Sequence, residues 1–254
     1  MRIVSYNILD GGRDRADALA DVIEGQRPDV VGLVEAEDLA VVEHIANRLG
    51  MDFIHAPGNS HASALLTRWT IRESINHAAL RPELEKSLLE AVVVDPAGRE
   101  WVFGVVHLHA RAFEADERRR EEELAVVLRA FADYRAAGRP HLLMGDFNAN
   151  SPVQRIDPDR CKPSTREAWQ ANGGQVPRRV VQRLLDEGYV DSLHAVRGAQ
   201  AGETGSFSTE FPGQRVDYVF TFGVEPGRLK DAWIERGPAA KDASDHYPVG
   251  VEIR

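Results

Sequence analysis

His141-Leu142-Leu143-Met144-Gly145-Asp146-Phe147-Asn148-Ala149 is the stretch on which the fold turns. An unbroken apolar run reads as a strand buried in the protein, and it ends in a polar loop. Period two places the Asp146 and Asn148 side chains on one face. A carboxylate and an amide so placed can orient a water and bind a phosphoryl oxygen. Alone, the same pair is equally a turn signal.

Upstream, Glu114–Ala137 is the clearest helix, with Leu124, Val127, Leu128 and Phe131 as its apolar stripe. Its charge-dense start, EADERRREEE (114–123), reads as a solvated face laced with ion pairs. Before it, Ala64–Thr67, Thr70–Ile75, Leu88–Val94 and Glu100–Val106 read as strands, the last two joined in a hairpin by Asp95-Pro96-Ala97-Gly98. The N-terminal part alternates: strand Arg2–Ile8, helix Arg15–Glu24, an apolar run ending at Glu35, and a helix through Leu39, Val42, Ile45, Ala46 and Leu49 that Gly50 stops. Downstream, Asn150–Gly174 is rich in Pro, Asp and Gly and is expected to be irregular. A helix follows with Pro177 near its start and Val180, Val181, Leu184 and Leu185 inside, and strands Val216–Phe222 and Val249–Ile253 close the chain. With no repeat, low-complexity tract or linker, residues 1–254 are expected to form one α/β domain of alternating and mixed type.

Composition narrows the function. A formal net charge of −9 argues against a protein that coats duplex nucleic acid through a basic face, while leaving a nuclease with local arginines open. No apolar run approaches the ~20 residues of a membrane helix, and the first residues lack signal-peptide character. Cys161 is the single cysteine, so no internal disulfide can form. A cytoplasmic monomer with no membrane partner is expected.

Other polar residues also fall at strand ends. Glu35 ends the second apolar run, where a hard cation such as Mg²⁺ would find an oxygen ligand. Arg215-Val216-Asp217-Tyr218 starts a strand with a carboxylate. Ser244-Asp245-His246-Tyr247-Pro248 precedes the last strand, and a His beside an Asp can act as a charged donor or general acid. Each has an ordinary reading as surface polarity at a strand end. In chain order the set reads SYNI, VEA, VHLHA, GDFNA, RVDYVF and SDHYPV.

That ordered set resembles the endonuclease/exonuclease/phosphatase superfamily of deoxyribonuclease-like hydrolases, from Asn7 to His246. The resemblance implies a four-layer α/β/β/α sandwich of two mixed β-sheets flanked by helices, with the site at one edge. It implies Mg²⁺ or Mn²⁺ as cofactor, with Glu35 as chief ligand, Asn7 near metal or phosphate, and Asp245 supporting the metal or its waters. Asp146 would orient or deprotonate the attacking water and Asn148 would steady the phosphoryl group. His107 would meet a phosphate oxygen or the leaving group, and Asp217 would hold His246 in one tautomer and keep it cationic. The implied function is hydrolysis of a phosphodiester, with nucleic acid or a nucleotide-like molecule as substrate. The alternatives are a phosphomonoesterase, a lipid- or sugar-headgroup phosphoesterase, and a non-catalytic binding module of the same fold.

Some positions depart from the family pattern. Val34 precedes Glu35 where the family often has Gln, and Leu9 stands where abasic-site endonucleases tend to carry Asp. His107-Leu108-His109 replaces their Tyr-rich motif, which puts an abasic-site role in doubt. His109 and Arg111, two and four residues after His107 and so on the same strand face, are candidate substrate contacts, with a solvated strand-end residue as the alternative for His109. Arg178, Arg179 and Arg183 are read as a helix surface with phosphate contact as the alternative, Trp101 and Trp233 as core, and Cys161 as incidental. Specificity is expected in loops 59–63, 111–114 and 150–176.

Overall fold

Two parallel strand pairs form the middle of the molecule: β1 (Arg2–Asn7) beside β2 (Val30–Val34), and β7 (Glu100–His107) beside β8 (His141–Asp146). The computed structural model describes residues 1–203 and 205–254. The first sheet adds β3 (Asp52–Ala56), β4 (Ser63–Thr67), β11 (Leu229–Ile234) and β12 (Val249–Ile253), in the order β11-β12-β1-β2-β4-β3. The second adds β5 (Thr70–Asn76), β6 (Ser87–Val94), β9 (Val190–Asp191) and β10 (Asp217–Phe222), in the order β5-β6-β7-β8-β10-β9. Each sheet is mixed, with one parallel pair inside antiparallel neighbours.

The sheets pack face to face through an apolar layer that includes Ile3, Val34, Leu65, Phe103, Val105, Leu142, Met144 and Val251. On its outer face the first sheet is covered by α1 (Ala16–Gly25), α2 (Leu39–Leu49) and α8 (Pro238–Ala243), through residues such as Leu19, Ile23, Val42, Ile45 and Ala240. The second is covered by α3 (Glu114–Ala130), α4 (Ala132–Ala136) and α6 (Arg179–Asp186), through Leu124, Val127, Phe131, Val180 and Leu184. Helices α5 (Pro163–Ala171) and α7 (Ser192–Arg197) complete the set of eight among the described residues. The result is the expected four-layer α/β/β/α sandwich. A sheet buried on both faces explains why the central strands read as unbroken apolar runs. No helix among the described residues is long and apolar enough to cross a membrane.

Several local readings need correction. The charge-dense start of α3 is a solvated, ion-paired face only on one side, where Arg118 pairs with Glu114 and Arg119 with Glu122; on the other, Glu117, Arg120 and Glu123 are 0–1% exposed. Arg120 is held by Glu117 at 2.9 Å and donates to the carbonyls of His109, Ala110 and Arg111. Glu123 accepts from the backbone N–H groups of His109 and Glu85. These charges substitute for secondary structure, satisfying the backbone of loops that no strand can pair. Charge density alone cannot distinguish that use from a wet helix face. The 150–174 segment contains α5, whose start Pro163 supplies. Strands β3 and β11 were not legible, because both lie at sheet edges where few residues are buried on both faces. Phe131 breaks the long helix into α3 and α4, with φ and ψ of −98° and 12°.

Candidate active site

Backbone register brings the candidate residues together. His107, Asp146 and Asp217 occupy one cross-strand row of the second sheet, with Asp146 the Cα partner of both others. Gly145 permits this pairing: its φ is 142°, and a Cβ there would stand 1.9 Å from the carbonyl oxygen of Val106. In the first sheet Asn7 pairs with Val34, so Asn7 and Glu35 emerge together. The two sheets meet where the Asn7 amide donates to Glu35 at 3.0 Å and to Asp146 at 3.3 Å. Ser244 Oγ donates to the Asn7 carbonyl at 2.8 Å and fixes the Ser244-Asp245-His246 segment at the same edge.

Asp146 is the centre of the group. Its Oδ1 accepts from the Asn148 backbone N–H at 2.8 Å, and its Oδ2 accepts from the Asn148 side-chain amide at 3.1 Å. Asn148 therefore meets Asp146 through a turn with φ of 49°, beyond the end of β8, and not through strand alternation. Glu35 also has left-handed backbone, with φ of 55°, a costly conformation for a side chain of that size. It turns the carboxylate back so that Oε1 meets Asn7 and Oε2 accepts from Asp10 N–H at 3.0 Å.

Two histidines flank Asp146. His107 Nε2 is 3.5 Å from its Oδ2 and 4.0 Å from Glu35 Oε1. His246 Nε2 is 3.8 Å from the same Oδ2, while its Nδ1 is bonded to Asp217 Oδ2 at 2.9 Å. Burial opposes the His246 imidazolium, but Asp217 and Asp146 outweigh it and hold its pKa up at about 10. Burial lowers the His107 pKa to about 4, and the neighbouring Lys86 cation adds to that. Burial alone would raise the Asp146 pKa, yet His246 and His107 keep it well below the usual carboxylate range. Glu35 is likewise held down against burial, by His107 and by its bonds from Asp10 and Asn7.

Asp245 lies at the rim, with Oδ2 3.4 Å from Lys162 Nζ and a buried Oδ1 that has no hydrogen-bond partner. His109 is less available than its spacing suggests, because Glu85 takes Nδ1 at 2.5 Å and Asp116 takes Nε2 at 2.9 Å. Arg111 is exposed, on backbone with φ of 74° that Arg120 clamps through the Arg111 carbonyl at 2.7 Å. It borders a hollow of about 320 Å³ with Phe113 and with Ser164, Thr165 and Ala168 of α5. A larger hollow of about 480 Å³ lies around Pro158, Pro163 and Trp169, and none of the candidate catalytic residues line it. Arg179 is bound to Glu114 and Glu121 of α3, as a helix surface would be. Trp101 is in the inter-sheet core, whereas Trp233 is partly exposed under Arg2, so only the first is a core residue in full.

Sequence reasoning missed three basic residues here. Lys86 sits just before β6, and its Nζ lies 2.6 Å from His107 Nε2. His61 is bonded to Glu37 at 2.7 Å and its ring is 5.3 Å from that of His107. Lys162 stands over the Phe207 ring, which packs 4.5 Å from His246. None belongs to a motif. Only the placement of Lys86 at a strand start resembled the signal that exposed the acids.

Asp146, Asp217 and His246 bring their potential ligand atoms within 4.8 Å of one another, so the edge of the sandwich contains a candidate metal-binding group. Carboxylates, amides and imidazoles gathered at the strand ends of such a sandwich suit the hydrolysis of phosphoesters. The chain belongs to the endonuclease/exonuclease/phosphatase family, whose model matches residues 4–246. It is 25% identical to exodeoxyribonuclease III of Haemophilus influenzae, over the full length of both chains. Among solved structures it is similar to a 3′-5′ exonuclease from Neisseria meningitidis, with TM-score 0.76, 19% identity, and coverage of 100% of this chain and 99% of that one. An AP endonuclease from Archaeoglobus fulgidus gives TM-score 0.74 at 18% identity with the same coverage.

Proposed function

We propose that the chain is a single-domain, divalent-metal-dependent phosphodiester hydrolase whose substrate is nucleic acid or a nucleotide-like diester. The observation that carries this reading is the position of Asp146 Oδ2, shared by Asn7 and Asn148 and flanked by two imidazoles. A carboxylate held ionised far below neutral pH is a weak base but a constant acceptor, so its main task is to orient the attacking water. The protonated His246 faces it and neutralises charge that develops on the phosphoryl oxygens. Asp217 is the positioning residue, because its bond to Nδ1 fixes the tautomer and aims the Nε2–H. Asn148 donates to Asp146 and steadies the phosphoryl group beside it.

Mg²⁺ or Mn²⁺ suits the oxygen donors available, and we assign it to Glu35, Asn7 and Asp245. The fit rests on the ionised Glu35 and on the buried Oδ1 of Asp245, which has no hydrogen-bond partner and lies 4.0 Å from His246 Nε2. His246 is a poor ligand, since a protonated imidazole has no lone pair to give. The bound ion would supply Lewis-acid polarisation of the phosphoryl oxygen. A phosphomonoester reading is favoured by one observation: Lys86, His61 and Lys162 are basic side chains of the kind a terminal phosphate dianion needs.

The test is a substrate panel of single- and double-stranded DNA, RNA, 3′-phosphate-terminated oligonucleotides, cyclic dinucleotides, sugar phosphates and aryl phosphodiesters, with Mg²⁺, Mn²⁺ or chelator. Turnover should stop in chelator and return with either metal. Full turnover after thorough metal removal sinks the mechanism.

A further inference from the structure

Lys86 is 5% exposed, yet it forms no ion pair among the described residues. Its one close side-chain partner is a neutral-type acceptor, His107 Nε2, at 2.6 Å. Of the three N–H donors on an ammonium, that contact uses one. Asp146, Glu35, Glu85 and Glu123 favour its charge without pairing to it, yet burial outweighs them and pulls the Lys86 pKa below its ordinary value; proteins keep such costly groups chiefly where a ligand completes the charge. The backbone around it is firmly held. Asn59 donates from its backbone N–H to the Lys86 carbonyl at 3.0 Å and from its side chain to the Leu84 carbonyl at 2.6 Å. Ser60 Oγ donates to the Glu85 carbonyl, and the next residue, Ser87, is in register with His107. The ammonium is thus pre-aimed, and its neighbour His107 faces Asp146 and Glu35 from the same wall.

Asp146 and Glu35 face His107 Nε2 at 3.5 and 4.0 Å, but no acid meets its Nδ1, which is buried without a hydrogen-bond partner. With the ring proton on Nδ1, Nε2 offers a lone pair to Lys86. The pair is then the inverse of His246 and Asp217: the histidine accepts and the partner carries the charge.

We propose that Lys86 is a further catalytic residue of this site, an ammonium that binds a phosphoryl oxygen of the substrate while His107 serves as the acceptor that positions it. This rests on the phosphoester reading above. The chemistry that fits is an anionic tetrahedral oxyanion beside Asp146, with Lys86 supplying counter-charge on the His107 side as His246 does on the other. The assignment also moves a role, since the direct phosphate contact passes from His107 to Lys86.

The test compares wild type, K86M and K86R in Mg²⁺ buffer by two readouts: binding of inorganic phosphate followed by ³¹P NMR, and turnover of bis(4-nitrophenyl) phosphate. Methionine keeps the buried stem and removes the charge, so the melting temperature should hold or rise. Phosphate affinity should fall at least ~10-fold and kcat at least ~30-fold in K86M, within the usual range for losing one charged donor, with partial recovery in K86R. Should K86M fail to fold, K86Q is read in the same two assays against the same thresholds. Phosphate binding within twofold of wild type in the folded neutral variant, or no phosphate binding by wild type, overturns the proposal. A wild type that binds phosphate through Lys86 but hydrolyses nothing on the wider panel overturns the enzymatic reading and leaves Lys86 as an anion ligand.

Discussion

The two histidines of the site are chemically identical, both buried, and within 4 Å of the same Asp146 oxygen, yet their pKa values move in opposite directions. His246 is pushed up to about 10 and His107 down to about 4. Burial penalises both imidazolium ions. The difference lies in the second ring nitrogen and the nearest charge: His246 Nδ1 has Asp217, whereas His107 Nδ1 has nothing and Nε2 faces the Lys86 ammonium. One residue type thus supplies a cationic donor on one side of Asp146 and a neutral acceptor on the other. The partner sets the role, and motif spelling alone does not reveal it.

Asp146→Asn strikes both sides at once, because it removes the anion between the rings while keeping the shape. Turnover should drop by about 10³-fold, within the span typical of a water-orienting acid–base group. The His246 pKa should fall as well, which a histidine NMR titration would detect. Near-wild-type rates on the true substrate would mean the site has been misplaced.

Asp217→Asn attacks only the cationic side. The His246 pKa lies above its ordinary value, so the active protonated form persists until pH rises through about 10. Losing Asp217 should bring that alkaline limb down by roughly one to three pH units and cost tens-fold in rate at neutral pH. His246→Ala should cost at least ~10²-fold, and the double variant should be no worse than His246→Ala alone if the two act as a unit. Additive losses, or an unmoved limb, would separate Asp217 from His246.

The smallest expected effect on chemistry comes from the clamp behind the neutral side. Glu117→Gln breaks a buried pair and strands Arg120, which should cost about 3 kcal/mol in denaturant unfolding. Loop 109–111 should loosen in hydrogen exchange while Asp146 and His246 keep their geometry. A stability loss well under 1 kcal/mol would return these charges to the role of a solvated face.

Much of this molecule was legible in the chain. Unbroken apolar runs such as Leu142–Met144 mark strands covered on both faces, because double burial leaves no polar alternation to see. Polar residues at the ends of such runs, read as an ordered set that resembles the endonuclease/exonuclease/phosphatase family, are how Asn7, Glu35, His107, Asp146, Asp217 and His246 could be singled out. The sequence left out what depends on neighbours distant along the chain. Edge strands β3 and β11 bury too little to show a period. Whether Glu117, Arg120 and Glu123 meet water or backbone carbonyls depends on where loop 109–111 lands. His109 has both ring nitrogens engaged by Glu85 and Asp116, which spacing could not foretell. Lys86 became a candidate only because register sets β6 beside His107. Composition and periodicity are local and fix which faces must be buried. Charge state and hydrogen-bond partnership depend on distances of a few ångströms between segments far apart in sequence, and only tertiary packing sets those.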